Sequence, residues 1–172
     1  MTFARRLRIL SLLSLTLLVI VAALLAWSSR ELSRAERNHV VADQIQSTVF
    51  HRATMRDEYF LFAVERAKVQ WFDLNDTATR LLAEGLPQID DGAEAILERS
   101  RRDLADSVQI SRRLVERIRR VPVADPAVAH HDEFASRLYS QIMLKDSALQ
   151  QEAVNLQQYA RDRFERASDR MI

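Results

Sequence analysis

Cysteine is absent from the chain, so disulfides and thiolate chemistry are excluded and the redox compartment is left open. Helix breakers are scarce, with two glycines and three prolines in 172 residues. So few breakers, with abundant Ala, Leu, Arg, Glu and Gln, point to long helices. Two isolated glycines also cannot build a nucleotide-cradling loop. No segment alternates apolar and polar residues as a strand would. Neither sign of charge dominates. The formal net charge of +1 gives no bulk attraction to nucleic acid or acidic surfaces. Arginine outnumbers lysine 23 to 2, which reads as compositional bias of a genome more than as physics.

What is present is an ordinary globular balance, 48% hydrophobic and 28% charged, in a length that suits one domain plus an anchor. The anchor is explicit. Arg5, Arg6 and Arg8 precede an uncharged run from Ile9 to Trp27. At 1.5 Å per residue that run spans roughly 28 Å, close to the hydrocarbon thickness of a bilayer. Trp27 falls where an indole suits the headgroup region, and the preceding arginines place the N-terminus in the cytoplasm. The run exceeds the about 7–15 apolar residues of a cleaved signal peptide, so an uncleaved anchor is expected. The expected organisation is a basic cytoplasmic tip over 1–8, a transmembrane helix over 9–29 and an extracytoplasmic helical domain over 30–172.

Two breaker clusters divide the remainder. Glu84 to Gly92 holds both glycines and a proline, and Val121 to Pro126 holds the other two prolines, with Asp125 and Pro126 a good cap and first-turn pair. Between them Ile96/Leu97, Leu104, Val108, Ser111, Val115 and Ile118 mark an amphipathic helix. From Pro126 to Ile172 a second stripe carries Ala135, Leu138, Ile142, Leu149, Ala153, Leu156, Ala160, Phe164 and Ala167. Upstream, a stripe from Ala42 through Ala53, Phe60, Ala67 and Trp71 to Leu81 covers about 50 residues. The expected fold is all-α, a transmembrane helix continuing into an antiparallel bundle of three or four long helices. For the chain to return to the membrane the exported part needs an even number of helices. That requires a hidden turn within 31–84, at His51–Asp57 or at Phe72–Thr77.

The stretch 55–71, MRDEYFLFAVERAKVQW, is the most distinctive. Its "RDEY" at 56–59, "ERA" at 65–67 and "QW" at 70–71 follow the first span by about 25 residues. With "RLYSQIMLKDSAL" at 137–149, they resemble the helical extracytoplasmic sensor region of bacterial membrane-bound sensor histidine kinases. In that family such a sensor lies between two membrane spans and cytoplasmic signalling domains follow. Residues 1–172 contain neither a second span nor a kinase core. The resemblance therefore implies a sensor region of a two-component system and no kinase activity for these residues. Arg56, Asp57, Glu58, Tyr59, Arg66 and Trp71 are the positions it marks.

Charge placement adds to that set. Along the apolar stripe Ala53 is followed by Arg56 and then Phe60, with Arg52 one turn below. A buried guanidinium needs a partner or an anionic ligand. Asp146 interrupts the last stripe between Ile142 and Leu149. Counted from the membrane side, Arg56 and Asp146 both lie roughly 38 Å out if each helix is straight. A surface network of Arg56 with Asp57 and Glu58 is an equal alternative. The aromatics Tyr59, Phe60, Phe62, Trp71 and Phe72 read as bundle core.

Other motifs read as surface. His130 and His131 point about 100° apart on a helix, poor geometry for shared metal ligation, and the segment lacks the Arg and Pro of a phosphoacceptor site. Arg101-Arg102, Arg112-Arg113 and Arg119-Arg120 interleave with Glu94, Glu98, Asp103, Asp106 and Glu116, the pattern of a solvated salt-bridged face. Nucleic acid is rejected as a partner. His39 and His51 lack partners at ligand spacing, and no nucleophile elbow supports hydrolysis. No metal or cofactor is expected. The reading is a non-enzymatic sensor module of a bacterial inner membrane, partnered with the lipid bilayer, a second copy as a homodimer, and an unknown small ligand or envelope protein. The alternative is a membrane-tethered structural coiled-coil or adaptor of the envelope.

Overall fold

The apolar run and the stripe that follows it contain no breaker, and they form one helix. A computed structural model describes residues 3–62, 64–86, 91–120 and 133–169. Helix α1 is Phe3–Phe62, α2 Glu65–Glu84, α3 Asp91–Arg120 and α4 Glu133–Asp169, with no strand among the described residues. The expected start of the last helix at Asp125 and Pro126, and the pair His130 and His131, lie outside the described residues.

In α1 the buried positions Ala35, Asn38, Ala42, Ile45, Val49, Arg52 and Arg56 alternate three- and four-residue steps. That is a heptad seam. In α3 the seam is Ala93, Leu97, Ser100, Leu104, Ser107, Ser111 and Leu114. Each helix packs on its neighbours in the order α1, α2, α3, α4 and back to α1. The bundle is therefore antiparallel and up-down-up-down. Many seam residues are Ala or Ser, so the helices approach closely. The last turns of α4 return beside the apolar end of α1, where Glu31 and Ala35 share a crevice with Arg163 and Ala167.

The turn that makes the helix count even lies at neither expected place. His51–Asp57 is inside α1 and Phe72–Thr77 inside α2, and the reversal falls between Phe62 and Glu65. Val64 is extended, at φ −76° and ψ 109°, and its carbonyl accepts from the amides of Ala67 and Lys68 at 3.0 and 3.3 Å. A β-branched residue suits that backbone, and Glu65 in the first turn suits the helix dipole. The turn was hidden because Phe60, Val64, Ala67 and Trp71 keep helical spacing straight across it. Folding back buries both halves of the stripe, which one isolated helix could not do.

Helix α1 also carries the one described segment long and apolar enough to cross a membrane. From Leu12 to Trp27 its large side chains are exposed, and only at Leu24 and Trp27 does the end of α4 come beside them, through Ala167. A continuous apolar surface of that length marks a membrane or protein contact.

Helix α2 stops at Gly85, whose φ of 65° and ψ of −169° lie in a region open essentially to glycine alone. Its amide donates to the Leu81 carbonyl at 3.0 Å. Gly85→Ala should therefore cost about 1–3 kcal/mol of stability, measured by chemical unfolding followed by circular dichroism. An unchanged midpoint would show that this backbone geometry is not required.

Candidate functional site

Among the described residues the core gathers in two clusters. One gathers Ala42, Ile45, Val49, Leu82, Leu97, Leu104, Leu149 and Leu156 near the apolar end. The other gathers Met55, Trp71, Leu114, Leu138 and Ile142 near the far end. Between them lies a layer of buried polar side chains, one or two from each helix: Arg52 and Arg56 of α1, Asn75 of α2, Ser107 of α3 and Asp146 of α4.

Asp146 is the hub. Its Oδ1 accepts from Arg52 Nη1 at 2.6 Å and from the Ser107 hydroxyl at 2.7 Å, and its Oδ2 accepts from Arg56 Nη1. Arg52 is wholly buried and uses each of its three nitrogens on a different helix. Besides Asp146 on α4, its Nε donates to Asn75 Oδ1 on α2 and its Nη2 to Ser107 Oγ on α3 at 2.6 Å. Burial lowers the pKa of this guanidinium, Asp146 opposes that, and an arginine remains charged throughout. Ser107 is itself held in the seam, its carbonyl accepting from the Ser111 hydroxyl at 2.7 Å.

Arg56 carries the layer to the surface. Its Nε and Nη2 both donate to Asp57 Oδ1, at 2.8 and 2.7 Å. The Asp57 side chain is 42% exposed against 3% for Arg56. Two cations thus meet two anions, and the second anion reaches solvent. The Tyr139 hydroxyl lies 3.5 Å from Asp57 Oδ1. Burial first, then the Asp57 charge, raise the Tyr139 pKa, so the phenol is a donor at neutral pH.

The expected site residues divide accordingly. Arg52, Arg56, Asp57 and Asp146 come together. Tyr59 and Trp71 pack one turn further out, with Trp71 edge-on to Phe60 at 5.6 Å and its centroid 6.3 Å from Tyr59. Burial also raises the Tyr59 pKa. Glu58 is half-buried but outside the polar layer, and Arg66 is exposed in the first turn of α2. The alternative in which Arg56 joins only a surface network does not hold, because Asp146 takes one of its nitrogens.

Asn75, Ser107 and Tyr139 were not among the expected site residues. Asn75 sat in a segment read as a turn, and serine is usually a surface residue. The available signal was the seven-residue spacing of Ala93, Ser100, Ser107 and Leu114, which puts both serines on the seam. The Trp71 indole N–H and the Asn75 amide nitrogen are buried without a partner, and each such donor costs about 1–3 kcal/mol. Both belong to α2, Asn75 within the polar layer and Trp71 one turn beyond it.

The salt-bridged face of α3 is only partly realised. Arg101 reaches Glu94 at 3.1 Å, but Asp103 and Asp106 both pair with Lys145 of α4 at 2.9 Å. Arg112 and Arg113 are exposed and make no ion pair or hydrogen bond among the described residues. No group of three or more His, Cys, Asp or Glu among the described residues is placed to hold a metal ion.

No protein-family model, curated protein or solved structure matches the chain.

The layer sets an order of mutational costs. Asp146→Ala leaves two buried guanidiniums without their common acceptor and should cost roughly 3–5 kcal/mol. Arg52→Ala should cost less, because Arg56 still neutralises Asp146. Arg56→Ala should cost least, because Asp146 keeps Arg52 and Ser107 while Asp57 turns to solvent. Unfolding midpoints in a fixed lipid environment check the order, and an Arg56→Ala loss equal to that of Asp146→Ala would contradict the hub assignment.

Proposed function

We propose that the chain is a membrane-anchored extracytoplasmic sensor region of the two-component type, acting as a homodimer in a bacterial inner membrane with its N-terminus in the cytoplasm. The observation that carries this reading is α1, a single helix of 60 residues. It joins the exposed apolar segment at one end to the buried Arg52–Arg56 layer near the other. A rigid helix passes small axial or rotational shifts along its whole length, because packed helices have discrete arrangements and do not deform continuously.

Three features support the reading. The polar layer binds α1 to all three other helices at one level, so a shift of any of them pulls on Arg52. The resemblance of residues 55–71 and 137–149 to helical sensor regions concerns this same level of the bundle. The return of α4 to the apolar end of α1 brings the two helices together where a membrane would begin. In this reading the network is the element that senses displacement, and the stimulus acts on the helices around it. These residues serve as transmitters, with no catalytic step of their own.

Transmission is measurable at the far end. A disulfide between Glu31→Cys and Ala167→Cys, which line one crevice about 38 Å below Arg56, is unambiguous in a chain without native cysteine. In reconstituted membranes, Arg56→Ala should change the yield of that crosslink, whereas Arg99→Ala, which breaks only the outer pair with Glu152, should not. An unchanged yield in Arg56→Ala, with the bundle still folded by circular dichroism, would favour a static tether.

A further inference from the structure

Helices α2 and α3 are the most sparsely joined neighbours in the bundle. Where they part, a cavity of about 630 Å³ opens between them, within the about 300–1,000 Å³ common to small-molecule sites. Its floor is Leu82 and Leu104, both core residues, with Val108 beside them. Ala83 and Ala105 are exposed and too short to close it. At one end Arg101 is committed, donating its Nε to the Leu82 carbonyl at 2.8 Å and its Nη1 to Glu94 at 3.1 Å.

The other end holds Arg112 and Arg113, two of the cations of α3 that the expected salt-bridged face leaves without partners among the described residues. Two acids, Asp76 and Glu116, also line the cavity, and with Arg101 taken by Glu94 the uncommitted cations of its lining are Arg112 and Arg113. An apolar floor ending at two unpaired guanidiniums is complementary to a molecule with an apolar body and one anionic head. The floor on α3 runs only from Leu104 to Val108, about 6 Å, which suits a small molecule better than a protein helix.

We propose that this groove binds an amphipathic carboxylate, its alkyl or aryl body over Leu82 and Leu104 and its head on Arg112 and Arg113. The position has a consequence for the polar layer. Val108 follows Ser107, and Asp76 follows Asn75, whose carbonyl accepts from the Thr79 hydroxyl at 2.8 Å. A molecule wedged between α2 and α3 changes the spacing of Asn75 and Ser107, the two groups that Arg52 holds together. Binding is a claim about the groove alone; that binding is a stimulus rests on the sensor reading.

The test uses the full chain in lipid vesicles with one introduced thiol, Ala105→Cys in the groove or Ser147→Cys on the exposed side of α4. Decanoate is the probe, with decanol and butyrate as the uncharged and tailless comparisons. Decanoate at ten times its dissociation constant should slow maleimide labelling of Ala105→Cys about tenfold and leave Ser147→Cys unchanged. Decanol and butyrate should not protect, and Arg112→Ala/Arg113→Ala should abolish the protection. Equal protection by decanol, or protection that survives loss of both arginines, would overturn the site. So would labelling already slow without decanoate and dependent on protein density, which would mean that a second copy covers the groove. Protection by decanoate without any change in the Glu31→Cys/Ala167→Cys crosslink would leave the site standing and overturn its role as a stimulus.

Discussion

A guanidinium taken out of water has to be met on every nitrogen, and in this bundle Arg52 is met by three different helices. That requirement shapes the level at which it lies. Asp146 supplies the charge, Ser107 turns one hydroxyl to serve both Arg52 and Asp146, and Asn75 gives its carbonyl at the expense of its own amide. Apolar side chains of similar volume would pack as well or better, since buried ion pairs rarely gain more than their desolvation costs. What the charged layer adds is register. An aliphatic seam tolerates a slip of one helix past another, whereas these donors and acceptors meet in one arrangement only.

The same layer separates two apolar clusters of different character. The lower one is aliphatic and narrow, built on alanine and leucine. The upper one is aromatic, with Phe60, Trp71, Phe72 and Tyr139 in edge or tilted contact. Helix α1 runs through both and on into the exposed apolar segment without a break in its helical bonding. Helix α2 is the weak partner. It meets α3 sparsely, it carries two unsatisfied buried donors, and it borders the groove that ends at Arg112 and Arg113. Movement of α2 reaches Arg52 directly, through Asn75.

Much of this architecture was legible in the amino-acid order. The near absence of breakers implied long helices, and the interruption of two apolar stripes by Arg56 and Asp146 marked where charge would have to be buried. Equal distances from the apolar end placed those two residues at one height. The reversal after Phe62 was not legible, because its residues include no glycine, proline or asparagine and the apolar spacing continues across it. Tertiary burial decides that turn. Asn75 and Ser107 were hidden for a related reason. Asparagine and serine carry no apolar signal, so residues whose part is to satisfy a buried charge look like turn or surface residues until the charge they serve is located. The unpaired state of Arg112 and Arg113 was likewise out of reach, because Glu116 follows them at the three- and four-residue spacing that usually pairs charges along a helix.

The most direct measurement is hydrogen exchange at the arginine side chains, read by ¹⁵N NMR of the Nε–H groups in the chain reconstituted in lipid nanodiscs. Two Nε–H signals, from Arg52 and Arg56, should exchange with solvent far more slowly than those of the exposed arginines. Both should lose that protection together in Asp146→Ala while the helices remain folded. Exchange of Arg52 and Arg56 at the rate of surface arginines would contradict the buried network and the coupling built on it.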